Sequence, residues 1–374
     1  MREASPTDSQ KLNAILDHFE RSGFVRKEPK LLQPAGVFLD RSGEDFRGRL
    51  YLTNDASGAE FCLRPEYTIP ICLDYLKTDR LEVAAFAYGG SIFRAPEHGA
   101  SGEGEFIQAG IESFGRPDRE AADAEILASA LEAAKAAGAN RLHVRMGDAG
   151  LVAAFLDGLD LPPVWRRRVE AGHARGLSPC DIFAPIVDTG ANEEQAGVRT
   201  ALTRVDPADA RRLVEDLLSI AGITPVGGRS AAEIAERFLD QATLVTGAGM
   251  SREKQALAEA FFDIDGAPDA AADAIRRLAS DAGLDLSAAL DTFDTRAGFI
   301  AAHGLSLDEM IFQTSFARQL DYYSGFVFEA RDETGDEAII GGGRYDRLLK
   351  TLGANRDIPA VGAAIWINRL RSAL

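Results

Sequence analysis

Strand-like segments occur near both ends of this chain and are almost absent from its middle. Runs of apolar and β-branched residues recur up to about residue 150 and again after residue 325. The stretch between them is rich in Ala, Leu, Asp and Arg. Strands of one sheet that are separated by a long helical stretch are typical of an α+β core with an insertion. The segments that predict strands are RLYLT at Arg49, EFCLR at Glu60, EVAAFAY at Glu82, EFIQAGIESFG at Glu105, RLHVRM at Arg141, GFVFEAR at Gly325, AII at Ala338 and VGAAIWI at Val361.

This pattern predicts two parts of the chain. We expect a core built from residues 1–150 and 300–374, and a mainly helical insertion at 151–299. The opening helix carries Ile15 and Phe19 on one face, with Asp8 as its expected cap. An Ala-rich helix begins at Arg119 and is expected to end at Gly138, because glycine adopts the left-handed conformation that terminates helices.

The chain carries a strong excess of negative charge. Its 58 acidic residues and 41 Lys and Arg residues give a formal net charge of −17. Affinity for nucleic acid depends largely on Lys and Arg side chains that neutralise phosphates. The most basic run, RRR at Arg166, lies in a helix-like stretch near Glu170 and is better explained as a solvated helix face. We therefore expect no tRNA partner.

Neither a membrane span nor a secretory signal is visible. No segment is apolar over the roughly 18 to 20 residues that a span requires, and residues 1–22 lack an apolar core. A cytoplasmic protein without membrane contact is expected. Cys62, Cys72 and Cys180 are widely separated, so neither a disulfide framework nor a zinc site is expected. Burial as small apolar side chains is the favoured interpretation of all three.

The sequence lacks several common catalytic motifs. It contains no G-x-x-x-x-G-K-[ST] phosphate loop, no H-E-x-x-H and no G-x-S-x-G nucleophile elbow. The glycines of GGGRYD, from Gly341, do not open a helix in a βαβ unit. They indicate a tight turn or a close backbone approach rather than a dinucleotide site. Because the chain has five His and none at ligand spacing, we expect no metal and no cofactor.

Several polar side chains interrupt segments that are otherwise apolar. Gln108 and Glu112 lie on one face of the strand predicted from Glu105. A single residue of this kind is best explained as a satisfied polar group at a sheet edge. A whole set needs partners, because buried polar groups require hydrogen bonds, and this favours a ligand site. The further members of the set are Glu66, Thr68, Arg318, Tyr322, Tyr323 and Tyr345.

These residue types match the groups of a free amino acid. An ammonium group binds carboxylate and amide oxygens, and a carboxylate binds a guanidinium in a charge-assisted pair. An imidazole needs a hydrogen-bond partner at each nitrogen, which a Glu and a Tyr hydroxyl provide. Composition and spacing alone do not identify the amino acid as histidine.

The motifs around these residues resemble those of class II histidyl-tRNA synthetases over roughly residues 5–150 and 300–370. LRPEYT at Leu63 is similar to the family's LRPEGT, and RQLDYY at Arg318 is similar to its RGLDYY. GGRYDRL at Gly342 is similar to GGRYDGL, and FIQAGIESFG at Phe106 carries the family's Q-x-x-x-E pattern. The resemblance implies an α+β fold with a class II synthetase-type antiparallel sheet flanked by helices.

The resemblance also implies how a histidine would be held at its amino-acid end. Glu66 and Thr68 would meet the ammonium group, with Gln108 alongside them. Arg318 would meet the carboxylate, as a guanidinium suits that group.

At the other end, the resemblance implies a pocket for the imidazole. Glu112, Tyr323 and Tyr345 would surround the ring, with Tyr322 packed beside them. Arg94, in SIFRAP, matches the arginine that faces the α-phosphate in the synthetases, and it completes the expected site.

The sequence departs from the synthetase pattern on the side where ATP would bind. Pro96 stands where synthetases have the Glu of F-R-x-E, and Gly104 stands where they have a second arginine. The segment between Ala95 and Ile111 carries carboxylates but no Lys or Arg, so it would repel a triphosphate. These carboxylates are Glu97, Glu103 and Glu105.

The final motif departs further. Trp366 stands at the second glycine of G-x-x-x-G-L-E-R-L and Asn368 at its glutamate, while Arg369 persists. An indole at this position would obstruct the nucleotide base, although filling of the core also explains it. The chain ends five residues after Arg369, so no C-terminal anticodon-binding domain is expected.

This combination resembles the regulatory branch of the family, whose members are synthetase-like paralogues that partner a short catalytic subunit of ATP phosphoribosyltransferase. The resemblance implies a chain without catalytic residues that is required for the first step of histidine biosynthesis and for feedback inhibition by histidine. It also implies a dimer within a hetero-oligomer. Two alternatives stay open: a truncated ligase that activates an amino acid with ATP, and a stand-alone amino-acid-binding module.

Overall fold

The computed structural model describes residues 6–39, 47–78, 82–96, 104–139, 141–184, 207–220, 230–318, 322–333, 335 and 337–370. The chain divides into two compact units, Met1–Ala154 with Ile264–Leu374, and Phe155–Asp263. The predicted insertion extends to residue 299, whereas the segment after residue 263 belongs with the first unit. Helical periodicity alone does not reveal which core a helix packs on. The predicted domain division stays a prediction.

Helices and strands alternate irregularly along the described part of the chain. The helices are α1 (Asp8–Arg21), α2 (Ala35–Leu39), α3 (Thr68–Leu76), α4 (Arg119–Ala136), α5 (Ala149–Gly158), α6 (Pro163–Ala174), α7 (Pro179–Phe183), α8 (Pro207–Ile220), α9 (Ala231–Thr246), α10 (Arg252–Phe262), α11 (Pro268–Ala282), α12 (Ser287–Ala302) and α13 (Leu348–Thr351). The strands are β1 (Val25–Arg26), β2 (Leu32–Pro34), β3 (Leu52–Asn54), β4 (Glu60–Leu63), β5 (Ala84–Phe93), β6 (Glu105–Phe114), β7 (His143–Asp148), β8 (Asp265–Gly266), β9 (Met310–Gln313), β10 (Phe326–Arg331), β11 (Ile340–Arg344) and β12 (Ala360–Trp366). Among the described residues, no helix is both long and apolar enough to cross a membrane.

A large, mostly antiparallel sheet lies at the centre of the first unit. Its described strands follow the order β1-β5-β6-β12-β11-β10-β7-β9-β8, and a small sheet follows the order β2-β4-β3. Neighbouring strands are antiparallel except in the β1–β5 and β7–β9 pairs, which are parallel. The predicted α+β fold, with an antiparallel sheet flanked by helices, is confirmed.

The two faces of the large sheet differ in chemistry. On β6, Ala109 and Ile111 are fully buried on the face that packs against α1 and α4. Gln108 and Glu112 lie on the opposite face, because side chains alternate along a strand. We call this opposite face the site face. The Ala-rich α4 has a high helix propensity, and its small side chains let it lie close behind the sheet.

The first helix is capped one residue earlier than predicted. The Thr7 hydroxyl accepts a hydrogen bond from the Gln10 backbone amide, and the Gln10 side chain accepts one from the Thr7 amide at 2.8 Å. This reciprocal pair forms a capping box. Asp8, the predicted cap, instead lies in the first turn and pairs with Lys11 at 3.4 Å.

Two of the three cysteines are buried, as predicted, and one is not. Cys62 and Cys72 have no solvent exposure, whereas Cys180 is exposed. Cys180 lies on the short helix α7, whose buried residues are Ile182 and Phe183. This helix is too short to show a periodic pattern, so its sequence does not indicate which of its side chains face the core.

The described part of the second unit is helical. Phe155 and Phe261 stack inside it, with ring centroids 3.9 Å apart. The RRR run lies on α6. Arg166 pairs with Glu170, one helical turn further along, and its Nε lies 2.8 Å from the Glu170 Oε1. Acidic side chains therefore engage this basic run, in agreement with the predicted solvated helix face.

A buried network of ion pairs ties α4 and α12 to the sheet. The Asp123 carboxylate lies 2.7 Å from Nη2 of Arg344 on β11 and 3.6 Å from Nη1 of Arg296 on α12. Arg296 also pairs with Asp148 at the end of β7, and Arg344 pairs with Asp346 at 2.8 Å. All five residues are buried. Loss of one partner would leave a buried charge uncompensated, which is costly in a medium that solvates ions poorly.

Arg296→Met should therefore destabilise the chain strongly. We expect the free energy of unfolding to fall by about 3 kcal/mol or more, because Asp123 and Asp148 both lose a cation. Arg276→Met is the matched control, because Arg276 is 42% exposed where it pairs with Asp273. An exposed pair of this kind contributes about 1 kcal/mol or less. Urea denaturation measures both variants, and equal losses would contradict a special role for the buried network.

Candidate functional site

The site face brings residues from three neighbouring strands side by side. Glu112 on β6 is paired with Phe86 of β5 and with Gly362 of β12. Gln108, four residues before Glu112 and on the same face, is paired with Gly90 and Trp366. Directly paired residues of antiparallel strands share a face. The strand register therefore places both predicted β6 residues beside β12, the strand that follows GGGRYD in the chain.

Glycines on this face make room for the polar side chains. A Cβ atom at Gly362 would overlap the Glu112 carboxylate, and one at Gly341 would overlap the Arg318 guanidinium. A Cβ atom at Gly343 would come within 2.9 Å of the Tyr323 ring. Glycine weakens a strand, so its presence at positions of close approach indicates a packing requirement. Here each glycine accommodates a member of the predicted site.

Glu112 is the centre of a buried hydrogen-bond cluster. The Thr68 hydroxyl donates to its Oε1 at 2.8 Å, and the Tyr345 hydroxyl is bonded to its Oε2. Tyr88 also hydrogen-bonds to this side chain. Glu112 is 1% exposed, and burial raises its pKa to about 8 even though the bonds from Tyr345 and Thr68 oppose the rise. The carboxyl group therefore carries a proton in much of the population near neutral pH.

Glu66 and Thr68 stand at the start of α3. The Glu66 carboxylate accepts hydrogen bonds from the backbone amides of Thr68 at 2.7 Å and Ile69 at 2.8 Å. These are amide groups that the first helical turn leaves without intrahelical partners. Burial raises the pKa of Glu66, and the bond from Ile69 and the charge of Arg94 oppose this. Glu66 thus anchors the helix start that holds the Thr68 hydroxyl against Glu112.

The three predicted tyrosines form a continuous aromatic group. The Tyr322 and Tyr345 rings meet edge to face with centroids 5.6 Å apart, and those of Tyr322 and Tyr323 are 4.9 Å apart. Burial raises the pKa of Tyr345 well above its ordinary value, so its hydroxyl stays protonated. The aromatic group therefore connects the Glu112 cluster with the segment that carries Arg318.

Arg318 and Arg94 supply the cations of the predicted site. The Arg318 guanidinium lies with Nη1 3.7 Å from the Glu329 carboxylate, and its Nε is buried without a hydrogen-bond partner. The Arg94 Nε donates to the carbonyl oxygen of Pro65 at 2.7 Å. Burial lowers the pKa of Arg94 to about 10, and Glu66 opposes this shift. Arg94 remains a cation at neutral pH.

The described residues on the predicted ATP side are packed by aromatic groups. Trp366 is 8% exposed, and the Arg369 and Arg318 guanidinium groups lie 4.9 and 5.8 Å from its ring centroid. Trp366 is therefore packed in the core, which agrees with core filling and does not test the predicted obstruction of a nucleotide. The Tyr51 hydroxyl occupies the space next to Gly104. Asn368 and Glu105 are exposed, while Glu97 and Glu103 lie outside the described residues.

The structure brings the predicted residues to one region, but by unequal contacts. Hydrogen bonds and ring contacts join Thr68, Glu112 and the tyrosines, and a hydrogen bond joins Tyr323 to Arg318. Arg94 interacts with Glu66 and Tyr322 through its charge. Sequence reasoning missed Tyr88, which bonds Glu112, and Glu329, which faces Arg318. Both are polar residues in predicted strands, the same signal that identified Gln108. Among the described residues, no group of three or more His, Cys, Asp or Glu could hold a metal ion.

Glu112→Gln should change how stability depends on pH. The folded state holds the Glu112 proton more tightly than the unfolded state, since the pKa rises from 4.5 to about 8. This contribution is complete below the unfolded pKa and is lost as pH rises through the folded pKa. Relative to Glu112→Gln, the original chain should lose at most about 1.4 kcal/mol of unfolding free energy per pH unit in this window.

Urea denaturation at several pH values between the two pKa values measures this difference. Glu309→Gln is the control, because Glu309 is exposed and lies away from the cluster. A stability difference that stays constant with pH would contradict the raised pKa of Glu112.

Comparison with known proteins identifies the family. The family model described as Histidyl-tRNA synthetase matches residues 2–175 and 195–370. The chain is 37% identical over 361 residues to the ATP phosphoribosyltransferase regulatory subunit of Chelativorans sp. (strain BNC1), with 95% of each chain covered. It is 38% identical over 354 residues to the subunit of that name from Brucella anthropi, with 92% of each covered.

Solved structures support the fold. A protein from Bacillus halodurans C, described as an ATP phosphoribosyltransferase regulatory subunit/histidyl-tRNA synthetase, matches with a TM-score of 0.64 and 20% identity, covering 99% of this chain and 80% of that one. Histidyl-tRNA synthetase from Nostoc sp. PCC 7120 matches with a TM-score of 0.64 and 17% identity, covering 99% and 74%. The prediction that the chain belongs to the regulatory branch rather than to the enzymes is confirmed by the relatives' names. The chain is a member of the histidyl-tRNA synthetase family and belongs to its ATP phosphoribosyltransferase regulatory subunits.

Proposed function

We propose that this chain binds free histidine on the site face and thereby controls a short catalytic subunit of ATP phosphoribosyltransferase. The phosphoribosyl transfer, as the first step of histidine biosynthesis, takes place in the partner chain. The regulatory chain acts in the cytoplasm, associates with itself as a dimer, and does not bind tRNA. The names of its relatives support the role of regulatory subunit.

The observation that carries the histidine proposal is the hydroxyl-bonded carboxyl group of Glu112. Thr68 and Tyr345 hold this group in place from two sides. A neutral imidazole needs one hydrogen-bond donor and one acceptor, and a partly protonated carboxyl group beside tyrosine hydroxyls offers both. Tyr322 and Tyr323 add apolar ring surface for the flat side chain.

The opposite end of the proposed site suits the ligand's carboxylate. Arg318 contributes a guanidinium whose Nε has no hydrogen-bond partner and whose Nη1 lies 3.7 Å from Glu329, beyond ordinary hydrogen-bond distance. The Arg318 side chain also hydrogen-bonds Tyr323. A ligand carboxylate would add charge-assisted bonds to this cation. Glu66 and Gln108, both buried on or beside the site face, supply oxygen atoms for the ammonium group.

Feedback inhibition then follows from differential affinity. Histidine can inhibit only if it binds more tightly to the inactive arrangement of the complex than to the active one. If histidine weakens the binding of a substrate to the catalytic partner by some factor, linkage requires that this substrate weaken histidine binding by the same factor. A binding site on a chain without catalytic residues suits such reversible control, because the bound histidine is not consumed.

Arg318→Ala should weaken histidine binding but not the binding of histidinol, which lacks the carboxylate. Loss of a charge-assisted bond costs about 2 kcal/mol, or roughly thirtyfold in the dissociation constant. Isothermal titration of the purified chain with each ligand gives the affinities. Tyr323→Phe, at the imidazole end, should weaken the binding of both ligands.

Arg276→Ala serves as the control for both titrations, because it removes a guanidinium that is 42% exposed on α11. An equal loss for histidine and histidinol in Arg318→Ala would remove Arg318 from the carboxylate site. When Arg318→Ala and Tyr323→Phe are assembled with the short catalytic subunit, histidine should inhibit the complexes less. The activity measured without histidine should stay the same. Robust ATP–pyrophosphate exchange with histidine would instead favour the truncated-ligase alternative and overturn the regulatory proposal.

A further inference from the structure

Three arginines surround one carboxylate at the edge of the site face. Arg145 on β7 and Arg331 on β10 approach Glu329, and Arg318 approaches it from the segment before β10. We call Arg145, Arg318 and Arg331 the arginine cluster. Apart from Arg318, these residues have no part in the proposed histidine site.

Glu329 is engaged by all three members. Its Oε1 lies 2.7 Å from Nη2 of Arg145 and 2.8 Å from Nε of Arg331, and its Oε2 lies 3.7 Å from Nη1 of Arg318. Glu329 is 6% exposed, so the carboxylate faces the cluster rather than solvent. Glu329 is thus a counter-ion that the three guanidinium groups have in common.

A fourth guanidinium crowds the same region. Arg369, which follows β12, pairs with Glu337 at 3.0 Å and lies over the Trp366 ring. Burial lowers the pKa of Arg369; Glu337 opposes this, while the charges of Arg318 and Arg331 lower it further. The cluster and Arg369 are thus close enough to repel one another, in a chain whose net charge is −17.

Hydrogen-bonding capacity in the cluster is incompletely used. The Nε atoms of Arg145 and Arg318 are both buried without a hydrogen-bond partner. Buried donors without partners are costly, and like charges held together add to that cost. Arg145 and Arg331 nonetheless keep 39% and 37% of their side chains exposed, so a solute can reach them.

We propose that the arginine cluster is a binding site for a phosphate-class anion, meaning phosphate, pyrophosphate or a phosphate monoester. Planar guanidinium groups bind such oxyanions through paired, charge-assisted hydrogen bonds. Arg145 and Arg331 form the principal contacts, and Arg369 borders the site. The anion lowers the repulsion among guanidinium groups that lie close together, as those of Arg318, Arg331 and Arg369 do.

Arg318 belongs both to this site and to the proposed histidine site. An anion that draws on the Arg318 guanidinium leaves less of it for a ligand carboxylate. Anion and histidine therefore weaken each other's binding, and linkage makes the two effects equal. This consequence depends on the proposed histidine site, whereas the anion site does not.

Calorimetric titration of the full chain at constant ionic strength tests the proposal. The probes are inorganic phosphate, pyrophosphate and methyl phosphate, and potassium chloride keeps the ionic strength equal. We expect saturable binding of at least one probe, with a roughly tenfold or greater loss in Arg145→Gln and in Arg331→Gln. Which probe binds most tightly distinguishes a free anion from the phosphate group of an ester.

Arg141→Gln is the matched control, because Arg141 precedes β7 and is 83% exposed where it pairs with Glu333. It should leave anion binding unchanged. Absence of saturable binding by the original chain, or an equal loss in Arg141→Gln, overturns the proposal. Thermal unfolding confirms that each variant is folded, and Arg331→Gln provides the test if Arg145→Gln does not fold.

Histidine titration of the same variants separates the two proposals. Arg145→Gln should keep its histidine affinity while losing anion binding. A chain that binds the anion but not histidine refutes the histidine site alone. A chain that binds histidine, with equal anion affinity in all three variants, refutes the anion site alone.

Discussion

The buried ion pairs around Asp123 are the constraint on which the site depends. Arg344 is held by Asp123 and Asp346 behind β11, and the residue that follows it is Tyr345, which bonds Glu112 on the site face. Buried charges are stable only with partners in good geometry, so this network permits little movement of β11. The rigidity of the site face is therefore set on the opposite side of the sheet.

The polar chemistry of the site face depends on glycines at positions of close approach. Small residues at crossing points let long polar side chains lie flat on the sheet, as Glu112 does over Gly362 and Arg318 over Gly341. Lying flat buries these groups, and burial raises the pKa of Glu112 to about 8. The packing that shapes the site face thus also sets the protonation of Glu112.

Much of this could be predicted from local sequence. Alternation identified the strands, and the motif residues Glu66, Thr68, Glu112, Tyr322, Tyr323 and Tyr345 do lie together. Tyr88 and Glu329 carry the same signal as Gln108, but their partners could not be predicted, because those depend on strand register, which no local pattern encodes. Thr7 took the cap expected of Asp8, since the two positions differ by a single residue. The sequence does not indicate which core α11 and α12 join, because amphipathic helices look alike in either case.

The close approach of Gly362 to Glu112 also constrains how such a site can evolve. A side chain added at position 362 is excluded while Glu112 is present, and shortening Glu112 first leaves a void over a glycine. Either single step is harmful, while the two together can be tolerated. Positions paired in this way across strands should show strong epistasis. New ligand specificity on this sheet should therefore arise through coordinated double substitutions rather than by gradual drift at single positions.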